Sequence, residues 1–120
     1  MNPKTIQSHV QFRGGICEIA ILSGDMHRAY MLLDMLAEGA AGEIHLQNAA
    51  DGKTTPIQKS ADGKNIAWPD GVCLTADGIG CIKRLIARCS LNPYDAQWMH
   101  YDLDAYTPKG EEIELCVRIA

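Results

Sequence analysis

The sequence predicts an α+β protein of the two-layer sandwich class. A mainly antiparallel sheet carries two helices on one face, in the order ββ-α-βββ-α-ββ, within one domain spanning residues 1–120. Three observations predict this. Two stretches repeat apolar residues at helical spacing, several shorter ones alternate apolar and polar residues, and Gly-Gly, Asp-Gly and Pro-Lys-Gly turns separate them.

Residues 8–13 alternate Val10 and Phe12 with His9, Gln11 and Arg13, as a half-buried strand does. Gly14-Gly15 suits a two-residue hairpin whose central positions need positive φ. Pairing across it sets Phe12 beside Cys17 and Val10 beside Ile19, so the apolar faces agree. Ser23 or Asp25 then caps a helix reaching about Glu38, ended by Gly39 or Gly42. Its expected buried stripe is Met26, Ala29, Tyr30, Leu33, Leu36 and Ala37, with Met31 and Met35 on the opposite side, either under a covering loop, as tolerated exposed groups, or as an adaptable contact patch.

Residues 43–48 alternate again, with Ile44 and Leu46 inward. Asp51-Gly52 marks a hairpin that would pair Leu46 with Ile57, and Pro56 suggests an edge or bulged strand. Asp62-Gly63 would bring Trp68 beside Ile57, and Trp68-Pro69-Asp70-Gly71 would break the meander. A short strand, Val72-Cys73-Leu74, leads into a second helix that starts at Thr75 or Asp77. That helix buries Ile79, Ile82, Leu85, Ile86 and Cys89 and stops before Asn92-Pro93. Residues 97–104 and 111–120 form a closing hairpin around Pro108-Lys109-Gly110, with Gln97, Met99, Tyr101 and Leu103 on one face and Trp98, His100, Asp102 and Asp104 on the other. Gly15-Ile16-Cys17 and Gly71-Val72-Cys73 recur at the same separation as Gly24 and Gly80, a faint sign of two related halves.

Charge is distributed unevenly. Acidic and basic side chains balance over residues 1–94. Asp95, Asp102, Asp104, Glu111, Glu112 and Glu114 face only Lys109 and Arg118 in the remainder, which holds the whole net charge of −4. This disfavours direct binding to nucleic acid or to an anionic membrane and favours a basic protein partner. No apolar run has the length of a membrane span, and the Met1–Thr5 start lacks the apolar stretch of a signal peptide. The five cysteines, Cys17, Cys73, Cys81, Cys89 and Cys116, are scattered without a Cys-x-x-Cys pair. They read as reduced thiols of a cytoplasmic protein, with Cys17, Cys73 and Cys89 expected to be buried and unreactive.

Catalytic chemistry finds little support. His9, His27, His45 and His100 never stand at metal-ligand spacing from one another or from a cysteine. His100, Asp102 and Glu114 come nearest to a loose metal set. No Ser sits in a nucleophile elbow, no Gly-rich loop cradles phosphate, and no cofactor motif is present. Two strand-helix-strand halves within 120 residues are similar, in topology only, to the vicinal-oxygen-chelate fold of glyoxalases and related resistance proteins. That resemblance implies a small-molecule-binding or enzymatic domain with His and Glu metal ligands. These strands offer no clear counterparts of the ligands, and the N-terminal hairpin is an addition to the pattern.

The sequence therefore points first to a small acidic binding module, of the class of bacterial immunity proteins that neutralise basic toxins such as nucleases. Its expected contact residues are Trp98, His100, Asp102, Asp104, Tyr106, Glu112 and Glu114, on and beside the C-terminal hairpin. No catalytic residue, metal or cofactor is assigned. A ligand-binding or enzymatic domain, or a homo-oligomeric assembly subunit, are the alternatives, and oligomeric state is left open.

Overall fold

The fold is described for residues 4–120 of a computed structural model. The reading of Met1, Asn2 and Pro3 as part of a polar start lies outside the described residues. Eight strands and two helices follow in order: β1 (Thr5–Arg13), β2 (Ile16–Ile21), α1 (Met26–Glu38), β3 (Glu43–Asn48), β4 (Thr54–Lys59), β5 (Ile66–Trp68), β6 (Gly71–Leu74), α2 (Ala76–Leu91), β7 (His100–Tyr106) and β8 (Glu112–Ile119). Short 3-10 turns at Ser23–Asp25 and Pro93–Gln97 precede α1 and β7.

The strands close into a barrel in the order β1-β2-β8-β7-β5-β6-β4-β3. This corrects the open two-layer sandwich expected from the sequence. Two helices and antiparallel hairpins are present, but four parallel seams join the hairpins: β1 with β3, β2 with β8, β4 with β6, and β5 with β7. Closure pairs both sides of each strand and so removes the exposed edges of an open sheet. The expected short strand at Val72-Cys73-Leu74 is present as β6, preceded by β5. Trp68-Pro69-Asp70-Gly71 makes their hairpin turn, with Trp68 facing Gly71, rather than ending the meander. Ile57 meets Val72 in place of Trp68. Pro56, expected at an edge or a bulge, stands just before the Ile57–Lys59 stretch that pairs with β6.

Turn chemistry sets the local registers. Phe12 faces Cys17 and Val10 faces Ile19, as the Gly14-Gly15 turn requires. Leu103 faces Leu115 and Tyr101 faces Val117 across the C-terminal hairpin, where Gly110 takes φ +87°. The β3–β4 hairpin differs by two residues. Its loop is longer, closed by Gly52 N–H to the Asn48 carbonyl at 2.7 Å, so Leu46 faces Thr55 and Ile44 faces Ile57. The shift is even, so the buried face is preserved.

One strand face and the helices' apolar stripes form a single core, including Ile6, Ile19, Ile44, Leu46, Val72, Leu115 and Val117. α1 contributes Ala29, Leu32, Leu33 and Leu36, and α2 contributes Ile79, Ile82, Leu85, Ile86 and Cys89. The α1 stripe is thus rotated from the expected one. Leu32 is buried and Met35 packs against the core, while Tyr30 and Met31 remain exposed. The neighbouring α2 reaches the edge of α1 that carries Tyr30 and Asp34, where Lys83 pairs with Asp34 and sits 5.1 Å from the Tyr30 ring centroid. Cys17 and Cys89 are buried, but Cys73 is half-exposed because β6 turns it to the outer face.

The chain divides into two ββαββ units of the same topology. In the first, the strands lie in the order β2-β1-β3-β4, and in the second β6-β5-β7-β8. In both, the parallel seam runs between the first and third strands. The two seams between units join the second strand of one unit to the fourth of the other. Matching the registers of all pairs sets Ile66 on His9, Val72 on Ile19, Leu103 on Leu46 and Val117 on Ile57. The separation differs from strand to strand, so the glycine echo at one constant spacing does not mark equivalent residues.

Candidate functional site

The outer face of the β7–β8 hairpin brings together six of the seven expected contact residues. The pleat sends alternate residues outward, so His100, Asp102, Asp104 and Tyr106 of β7 stand beside Arg118, Cys116, Glu114 and Glu112 of β8. Trp98 is placed differently. The strand starts at His100, and Trp98 instead closes the preceding 3-10 turn, 78% exposed at the far end of β7 from the loop. Asn92 organises that turn by accepting the Tyr94 N–H, a local polar competition with strand formation that the alternating pattern concealed.

The face has a paired end and an unpaired end. At the paired end, the Arg118 guanidinium donates to Glu18 at 3.1 Å, and His100 Nε2 lies 3.3 Å from Asp102. The Cys116 thiol is pushed up to about 11, by burial first and then by its hydrogen bond to Asp102 and the carboxylates of Asp102, Glu18 and Glu114. A thiol held so far up is protonated at neutral pH and is no nucleophile. At the loop end, Asp104 faces Glu114 directly and Tyr106 faces Glu112. Asp104, Glu112 and Glu114 form no ion pair among the described residues. They border a shallow depression of about 400 Å³ that also includes Gly15, Ala105, Tyr106 and Ile113.

Three neighbours belong to this face that the hairpin pattern could not place there. The parallel β2–β8 seam brings Ile16 beside Glu114 and Glu18 beside Cys116. Ile16 is an exposed apolar group within the acidic patch. Lys64, from the link ahead of β5, sits 5.2 Å from the centroid of the Tyr106 ring. Glu18 stands between the buried Cys17 and Ile19 and so points outward, but no local turn joins β2 to β8, so sequence spacing carries no sign of its partner.

His100, Asp102 and Glu114 share the face. Among the described residues, however, no three His, Cys, Asp or Glu side chains stand close enough together to hold a metal ion. A second, polar cleft of about 460 Å³ lies between the start of α1 and the outer face of β1, β3 and β4, lined by Thr5, Gln7, Asp25, Arg28, His45, Gln47 and Thr54. Here Gln7 donates its side-chain amide to Gln47 at 2.7 Å, and Asp25 accepts the Gln7 backbone N–H at 2.7 Å. Asp25 thus completes the end of β1 rather than capping α1 with its side chain.

The cleft and the acidic face occupy corresponding places in the two units. Gln47 corresponds to Asp104 and Thr54 to Glu114, so the Gln47–Thr54 pair of β3 and β4 is the neutral counterpart of the Asp104–Glu114 pair. No helix among the described residues is long and apolar enough to cross a membrane. Comparisons of the chain with protein-family models, curated proteins and solved structures return no match.

Proposed function

We propose that the protein is a binding module that masks a basic surface on another protein, with the outer face of the β7–β8 hairpin as its contact. One observation carries this reading. At equivalent places in the same fold, one unit puts Gln47 opposite Thr54, whereas the other puts Asp104 opposite Glu114. Barrel geometry therefore does not demand charge at these positions. Like charges directly opposite destabilise a sheet by roughly 0.2–1 kcal/mol. Lys or Arg groups of a partner would relieve that repulsion, and the acidic field would speed their encounter. Tyr106 and exposed Trp98 flank the patch and suit aromatic anchoring. Immunity-type inhibitors of basic toxins such as nucleases remain the class this chemistry fits best, by analogy of size and charge.

The test uses the partner that co-purifies with the chain, with association measured by surface plasmon resonance. Asp104→Lys with Glu114→Lys should slow association and weaken affinity. Unchanged binding by a folded double variant would remove this face from consideration.

The polar cleft supports a second reading, a small polar ligand held near Gln7, Gln47 and Arg28. A Gln47→Leu change that abolishes a ligand-induced rise in melting temperature would support it. Absence of any such rise across a panel of small polar ligands would count against it.

A further inference from the structure

We propose that the chain is a tandem repeat of one ββαββ unit, its two copies paired about an internal two-fold axis as the subunits of a homodimer would be. The register equivalence set out above uses only strand pairing. A pair of side-chain bonds outside the strand ladders agrees with it, and the ladder bonds at the strand ends follow the same correspondence. Ser8 Oγ donates to the Gln47 carbonyl at 3.2 Å, and Asn65 Nδ2 donates to the Asp104 carbonyl at 3.1 Å. The Ala49 N–H reaches the Ser8 carbonyl at 2.8 Å, and the Tyr106 N–H reaches the Asn65 carbonyl at 2.9 Å. The Ala120 N–H meets the Ile21 carbonyl and the Ser60 N–H meets the Leu74 carbonyl, both at 2.8 Å.

The helices obey the same rule. The 3-10 turn at Ser23–Asp25 with α1 matches α2 residue for residue, Leu22 and Thr75 standing just before them. Ala29, Leu32, Leu33 and Leu36 then fall on Ile82, Leu85, Ile86 and Cys89, and all eight are buried. On this scheme Tyr30 corresponds to Lys83. These two touch each other, with the Lys83 ammonium 5.1 Å from the Tyr30 ring centroid. A residue that contacts its own counterpart lies at a two-fold axis, so the axis passes between α1 and α2 at this pair.

Two consequences follow for the seams. β2 with β8 and β4 with β6 are one interface used twice, which is the isologous arrangement of a two-fold dimer. The chain crosses from one unit to the other through residues 60–65, where Ala61–Lys64 are exposed. Ser60 corresponds to Ala120 and Asp62 to Thr5. The gap between Ala120 and Thr5 is therefore the counterpart of the link between units, and Lys4, the counterpart of Ala61, suffices to bridge it.

Two circular permutants of the full fold test the proposal, both with Ala120 joined directly to Lys4 and no added residue. One is opened between Ala61 and Asp62, which reverses the order of the units. The other is opened between Asp51 and Gly52, which cuts the first unit. Each also carries Gln58→Cys, because Gln58 faces Cys73 across the β4–β6 seam and a disulfide between the introduced thiol and Cys73 reports whether that seam has re-formed. The unit-reversed chain should be a folded monomer that melts within about 5 °C of the uncut Gln58→Cys protein and forms that disulfide within one chain. The chain cut inside a unit should melt lower by more than about 5 °C. An unfolded unit-reversed chain, a folded one without the cross-link, or equal melting of the two permutants would overturn the proposal.

Discussion

Removing the Leu33 side chain beyond Cβ should destabilise the fold by about 3–4 kcal/mol, in the upper half of the ~2–5 kcal/mol range for buried Leu-to-Ala changes. Leu33 is 1% exposed and lies in the core shared by both helices and the strands' apolar face. Packing from both sides limits collapse into the cavity, so the cavity adds fully to the lost transfer free energy. A chain of this length shifts about 4 °C in Tm per kcal/mol, which gives a drop of about 12–16 °C. Ile86 is the Leu33 counterpart in the second unit, also 1% exposed, and Ile86→Ala should fall in the same range. Met31, 56% exposed on the same helix, should change stability by no more than about 0.5 kcal/mol when replaced by Ala. Urea denaturation, read as a midpoint shift at constant m-value, measures all three. A Leu33→Ala loss below about 1 kcal/mol, or a Met31→Ala loss equal to it, would refute the helix orientation on which this reasoning rests.

Other outcomes are equally specific. Thr75→Ala removes the side chain that accepts the Gly78 N–H at 3.0 Å, and should lower unfolding free energy by about 1 kcal/mol in the same urea assay. The buried Cys17 thiol is pushed up to about 11, so it stays protonated in the folded chain after the unfolded chain begins to ionise near 9. Its contribution is full below pH 9 and declines as pH rises towards 11, so Cys17→Ala should flatten the alkaline fall in stability. Glu114→Gln removes one member of the like-charged pair and should stabilise the fold by a few tenths of a kcal/mol at low salt, an effect that fades as salt rises.

What the sequence revealed and what it hid divide along a physical line. Hairpins are local. Gly14-Gly15 and Pro108-Lys109-Gly110 set the turn geometry, and with it the pairings of Phe12 with Cys17 and Leu103 with Leu115. The six hairpin residues of the candidate face came together for the same reason. Asp51-Gly52 also marked its hairpin, but dipeptide identity does not distinguish a two-residue from a four-residue loop, hence the two-residue shift at Leu46. Parallel seams have no turn of their own. Nothing near Glu18 announces that it lies beside Cys116, and nothing near Ile57 announces Val72. Barrel closure, the Glu18–Arg118 contact and the equivalence of the units all depend on those seams. The repeat was hidden further because its spacing changes between strands, so a search at one period aligns Cys17 with Cys73 although Ala20 occupies the matching position.

The most direct test compares association of three chains with the co-purified partner at low and at moderate salt: the unaltered protein, Asp104→Lys with Glu114→Lys, and Gln47→Lys with Thr54→Lys. The last pair places the same residues at the corresponding positions of the other unit, so it controls for added positive charge and for disturbance of the barrel. The hairpin variant should associate at least about tenfold more slowly at low salt and lose most of its salt dependence, while the control variant stays near the unaltered rate. Equal slowing by both variants would mean that net charge rather than this face governs association. Full-rate association by a folded hairpin variant would contradict the claim that the β7–β8 face is the contact.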